Sequence, residues 1–132
     1  MVLLLLKGVQ TALVAQSQDP VTPKVKVIYF HGTNRCMTCL NMEKYTKELL
    51  EEEYSKELNS KQLVFEIVNF DDDAQKEITE KYNVESSTLL LVKIKNGKEK
   101  VTDLTDIGFT YAKNEPEKFK GEIRKKLNEK LL

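Results

Sequence analysis

The chain contains two cysteines, and they stand three residues apart in Cys36-Met37-Thr38-Cys39. A thiol pair at that spacing supports three chemistries: a short structural disulfide, part of a metal site, or thiol–disulfide exchange. The flanking pattern bears on the choice. Residues 25–30, VKVIYF, are β-branched and aromatic, are apolar on both faces apart from Lys26, and read as an interior strand. From Cys36 onward apolar residues recur at steps of three and four, so the pair sits where a strand hands over to a helix. A sulfur in the first helical turn faces unpaired backbone N–H groups and the positive end of the helix dipole, and both favour thiolate over thiol. Arg35 adds a permanent cation. Such surroundings bring a cysteine pKa from about 8.5 into a range of roughly 3.5 to 7.5, and the thiolate is the attacking species. Cys36 is then the candidate nucleophile, and Cys39, one turn on, the candidate resolving thiol.

The other chemistries stay open at this point. A disulfide closing so short a loop contributes only about 2 kcal/mol on chain-entropy grounds, against roughly 4.7 for a loop of about 100 residues, which makes it a weak staple. A metal site would draw on Cys36, Cys39, His31 and, one turn beyond, Glu43, with no second CxxC to complete a zinc ribbon. Covalent haem attachment requires His after the second cysteine, where Leu40 stands. His31, five residues before Cys36, is a candidate donor to the thiolate or proton relay; a loop histidine satisfied by backbone is the alternative.

The elements that hold the pair follow from periodicity. Cys39, Met42, Tyr45 and Leu49 form an apolar stripe that Leu50, Tyr54 and Leu58 prolong, which predicts one long helix over residues 36–58. Residues 63–70, LVFEIVNF, read as a second buried strand, and Asp71, Asp72 and Asp73 supply caps for a helix through Ile78 and Tyr82. The third and most apolar strand, residues 88–94, meets a charged edge strand at 98–104 across Asn96-Gly97, the strongest short hairpin signal. Asn114 as cap, Pro116 in the first turn, and Phe119, Ile123, Leu127 and Leu131 in steps of four predict a terminal helix. The order is β-α-β-α-β-β-α. Helical crossovers demand parallel strands and the hairpin an antiparallel pair, so the class is α/β, with a mixed four-stranded sheet flanked by helices on both faces.

Composition bounds the remaining possibilities. At 15.2 kDa the chain is one domain's worth and folds without needing a metal or a staple. Its 21 basic and 21 acidic residues cancel, so no global field draws a polyanion and nucleic acid is not an expected partner. Residues 2–15 are apolar but are broken by Lys7, Gly8, Gln10 and Thr11, short of the roughly 18 residues a membrane span takes. They are read either as a short helix docked on the body or as the remnant of an export signal or anchor. Pro20 and Pro23 mark residues 16–24 as a linker, dividing the chain into an N-terminal segment, 1–24, and a domain, 25–132. This arrangement tilts the expected location toward extracytoplasmic or membrane-tethered, with cytoplasmic as the alternative, and the expected state is a monomer.

The run Tyr29-Phe30-His31-Gly32-Thr33-Asn34-Arg35-Cys36-Met37-Thr38-Cys39, followed by a helix, two further strands and a terminal helix, resembles the thioredoxin-like proteins over roughly residues 25–132. The stretch from Tyr82 to Val92, ending in Lys95-Asn96-Gly97, is similar to the family's approach to its third core strand. The resemblance implies a thioredoxin-like fold with Cys36 at the surface and Cys39 beneath it. It further implies dithiol–disulfide exchange with Cys36 and Cys39 as catalytic residues and no organic cofactor, and the charge reading above adds Arg35 to the catalytic candidates. The implied partners are a disulfide-bearing protein or small-thiol substrate, and an electron-donating reductase or membrane thiol carrier.

Five positions depart from the family pattern. Met37-Thr38 replaces Gly-Pro, and Arg35 stands where a tryptophan is usual. Tyr29 stands where a buried aspartate assists proton transfer, which leaves that task to His31, Glu43 or water. Thr88 occupies the place of a cis-proline facing the sulfurs and becomes a candidate substrate contact. A non-proline cis bond costs about 2.5–4 kcal/mol, so Ser87–Thr88 is expected trans or strained. A metal- or cluster-binding module on the same fold, and a redox-inactive interaction domain, are the rival readings.

Overall fold

Residues 27 to 30 have no solvent exposure at all, which requires a strand covered on both faces. In the computed structural model, which describes residues 22–132, that strand is β1 (Val25–His31) and lies inside the sheet. The apolar stretch 2–15 and most of the 16–24 linker lie outside the described residues. After β1 come α1 (Met37–Glu53), α2 (Ser55–Asn59) and β2 (Leu63–Asn69). A single 3-10 turn, Asp73–Gln75, leads into α3 (Lys76–Lys81). The hairpin β3 (Thr88–Lys95) and β4 (Lys98–Asp103) is followed by α4 (Thr105–Tyr111) and α5 (Pro116–Leu131).

The four strands lie in the order β2-β1-β3-β4. β1 runs parallel to β2 and antiparallel to β3, and β3 antiparallel to β4. This is the mixed sheet predicted, and the predicted order is kept with α2, the 3-10 turn and α4 added to it. The hairpin turns through Asn96 at φ 54 and Gly97 at φ 75, the paired positive values that a two-residue primed turn demands and that Asn-Gly supplies at little cost.

Strand alternation sends the chain's apolar residues to two cores. Val25, Val27, Tyr29, Leu89 and Leu91 pack with Met42, Leu49 and Leu50 of α1 and with Phe119, Ile123 and Leu127 of α5. Ile28, Phe30, Val68, Leu90 and Val92 meet Val84 and the partly buried Ile78 and Tyr82 on the α3 side. Helices therefore cover both faces. Among the described residues no helix is long and apolar enough to cross a membrane.

Three local readings change. The predicted 36–58 helix breaks at Tyr54, whose backbone leaves the helical region (φ −127, ψ 25). The buried Tyr54 hydroxyl reaches across to donate to Asn128 Oδ1 at 2.6 Å, and α2 starts at the next residue. Asn114 does not cap α5: the cap position is Glu115, without a side-chain bond, and Pro116 removes one of the donors that would need capping. Of the three aspartates, Asp72 caps the 3-10 turn through Ala74 N–H at 3.0 Å, while Asp71 accepts the Thr33 N–H in the loop between β1 and α1.

Candidate active site

The loop from β1 to α1 is fixed by its neighbours before it delivers the cysteines. Gly32 lies against the Phe70 ring, where an added Cβ would sit 2.9 Å from Phe70 Cζ. Thr33 N–H donates to Asp71 Oδ2 at 2.8 Å. The chain then enters α1 with Cys36 as N-cap in extended conformation (φ −82, ψ 166), and Cys36 Sγ accepts the Cys39 backbone N–H at 3.0 Å. A cysteine here takes the place that Ser, Thr or Asp usually holds. The sulfur therefore has both a specific N–H donor and the helix's positive end beside it.

Cys36 and Cys39 are joined as a disulfide, Cα atoms 5.0 Å apart. Cys36 is exposed and Cys39 only 6% so, which is the surface-and-beneath arrangement expected. Met37 and Leu40, both exposed, give the entrance an apolar rim.

Beneath the pair lies Tyr29. Its hydroxyl donates to the Cys39 carbonyl at 2.8 Å. Burial pushes the phenol above a tyrosine's ordinary 10.0, further than Arg35 and Ser87 pull it back. It stays protonated, a donor rather than a base. Ser87, at the mouth of β3, places its hydroxyl 3.3 Å from Cys39 Sγ.

Arg35 pairs with Glu43, one and a half turns into α1. Desolvation disfavours its guanidinium, but the Glu43 bond and charge, with Tyr29 behind them, outweigh that and hold its pKa above the usual value. The guanidinium is thus permanently charged, with the Glu43 carboxylate as its partner. Its Nε is buried without a partner.

The remaining candidates sit as follows. His31 stacks on Tyr29 with ring centres 6.1 Å apart. Its Nδ1 lies 2.8 Å from the Gly32 carbonyl, which can only accept, so Nδ1 carries the proton there. Glu43 engages Arg35 rather than a sulfur. Thr88 opens β3 opposite Phe30, and its hydroxyl donates to the Ser86 carbonyl at 2.8 Å. Among the described residues every peptide bond is trans. Nor, among them, do three or more His, Cys, Asp and Glu side chains gather in a way that could hold a metal ion. Ser87 is the neighbour that sequence reasoning missed. The pairing of Phe30 with Thr88 is the signal that brings it beside the cysteines. Tyr29, which in the sequence stands where an aspartate is usual, is a hydrogen-bond donor to the Cys39 carbonyl.

A parallel β1–β2 pair, an antiparallel β1–β3–β4 run, and a CxxC disulfide at the cap of the helix after β1 together define a thioredoxin-like fold. No family model and no curated protein sequence matches the chain. Solved structures match it in shape. A thioredoxin from Thermus thermophilus is 18% identical, over 77% of this chain and 72% of that one, at a TM-score of 0.46. Trxlp of Edwardsiella tarda is 24% identical over 69% and 79%, at 0.44. A thioredoxin pre-protein of Schistosoma mansoni is 26% identical over 73% and 75%, at 0.42. The fold assignment rests on the strand order and the capping cysteine themselves.

Proposed function

We propose that the protein is a thiol–disulfide oxidoreductase acting on disulfides of proteins or small thiols. One observation carries this reading: the exposed Cys36 sulfur is the N-cap of α1 and already accepts a backbone N–H. In the reduced form the same donor, the helix end and the Arg35 charge favour the thiolate. That thiolate attacks one sulfur of a substrate disulfide, forming a mixed disulfide and expelling the other sulfur as thiolate, which takes up a proton from water. Cys39 then loses its proton and attacks Cys36 Sγ, releasing the second substrate sulfur and closing Cys36–Cys39. Two electrons pass from the pair to the substrate. A thiol donor, either a reductase or a membrane thiol carrier, restores the dithiol, and run backwards the same steps oxidise a dithiol substrate.

Turbidity from insulin reduction by dithiothreitol measures the exchange. Cys36→Ser is expected to lower the protein-dependent rate by on the order of a hundredfold or more, since the nucleophile is gone. Equal rates for the two proteins would remove Cys36 from the mechanism.

A further inference from the structure

Six lysines converge at the pole of the sheet opposite the disulfide: Lys24 just before β1, Lys93 and Lys95 at the end of β3, Lys98 and Lys100 at the start of β4, and Lys130 in the last turn of α5. The register sets Lys93 directly across from Lys100 and Lys95 across from Lys98. Like charges face to face destabilise a sheet. All four project on the side of Leu89 and Leu91, toward α5, by the alternation of the strand. Among the described residues none of the six makes an ion pair, whereas Lys26, Lys76, Lys81 and Lys120 all do. Two adjoining clefts of about 300 and 310 Å³ open between these lysines and the end of α5. The carboxylates at hand are Glu129 and Glu99, and Glu99 is taken by Lys81 at 3.1 Å and Tyr82 at 2.9 Å.

We propose that this lysine pole seats the domain on an anionic membrane surface, with the disulfide directed away from it. The location of the chain's entry argues for a membrane over other polyanions. The polypeptide reaches β1 through Lys24, inside the patch, coming from residues 1–21 with their apolar stretch at 2–15. A basic surface and an apolar segment are the two signals that together hold a protein at a bilayer when neither suffices alone. The cations are all lysines, point charges suited to phosphate headgroups, and the patch offers no arginine fork or aromatic face with which to read or stack nucleic-acid bases. The seven residues of β1 separate this pole from Cys36 by about 20 Å, enough to leave the exchange site open to solvent.

The full chain is titrated with vesicles of pure phosphatidylcholine and of phosphatidylcholine with one third phosphatidylserine. The proteins compared are wild type, the quadruple variant Lys93→Gln/Lys95→Gln/Lys98→Gln/Lys100→Gln, and a charge-matched control, Lys44→Gln/Lys47→Gln/Lys76→Gln/Lys113→Gln. Wild type and control are expected to bind anionic vesicles far more tightly than neutral ones, with the gain fading as salt rises. In the quadruple variant the gain falls about fivefold per lysine removed, a few hundredfold in all, while binding to neutral vesicles and insulin reduction stay as in wild type. The two pair variants, Lys93→Gln/Lys100→Gln and Lys95→Gln/Lys98→Gln, each lose about twenty-fivefold and supply the test should the quadruple variant not fold. Equal wild-type binding to both vesicles overturns the proposal, as does an undiminished gain in the lysine variants. Salt-sensitive binding to a 20-nucleotide DNA without a vesicle gain overturns it in favour of a nucleic acid.

Discussion

A tyrosine beneath the disulfide does different work from a carboxylate. Tyr29 donates to the Cys39 carbonyl and, being buried, holds its proton beyond the ordinary value, so it anchors the first turn of α1 rather than collecting a proton from Cys39. Tyr29→Phe removes this second bond from a carbonyl that the helix still engages, an expected loss of about 0.5–1.5 kcal/mol in chemical denaturation at pH 7. The alkaline limb gives a second readout. Because the folded phenol keeps its proton to higher pH than the unfolded one, the stability this proton provides is complete below pH 10.0 and drains away as pH rises through the folded value. The variant's denaturation midpoint should fall less steeply above pH 10 than that of wild type. A parallel fall in both would place the titration elsewhere. That Cys36 and Cys39 open a helix was legible in the sequence because a helix start is a local feature, written in consecutive residues. Ser87 was not, since it lies 48 residues from Cys39 and reaches the sulfur only through the β1–β3 register.

The helix carrying the pair is held by a short element that the periodicity does not announce. α4 holds a glycine and few apolar residues over seven positions, too few for a stripe to emerge. Tertiary packing forms it instead: Gly108 is buried with the Met42 sulfur in the space a Cβ would need, and Asn41 Nδ2 donates to the Ala112 carbonyl at 3.3 Å. Gly108→Ala should therefore destabilise despite alanine's better helix propensity, by about 1–3 kcal/mol of overpacking. An unchanged or raised urea midpoint would mean that Met42 swings aside freely. The split at Tyr54 has the same origin. A stripe of apolar residues runs straight through residues 49–58 in sequence, yet Tyr54 turns to α5 for its hydrogen bond, a partner 74 residues away.

Over the whole molecule, charge both fastens and limits. Lys120 and Arg124 of α5 reach Glu48 and Glu53 of α1 at 2.9 and 2.6 Å, and these hydrogen bonds hold both carboxyl groups below their ordinary 4.5. A depressed carboxylate stabilises the fold above its unfolded value and loses that contribution as pH falls through the folded one. The denaturation midpoint should decline below pH 4.5, and more shallowly in Lys120→Met/Arg124→Ala; identical acid limbs would show that the two ion pairs contribute nothing measurable.

The two flanks of the sheet are unlike. β4 presents Lys98, Glu99 and Lys100, whose charge repels a neighbouring strand. β2 presents a mostly apolar ribbon with Ile67 open to solvent. β4 exposes Val101 too, but beside Lys100, so growth of this sheet by a second molecule is expected to favour β2. Ile67→Lys should raise the temperature at which concentrated solutions scatter light while leaving the unfolding transition of dilute protein in place, which makes β2 the strand where resistance to clumping is won or lost.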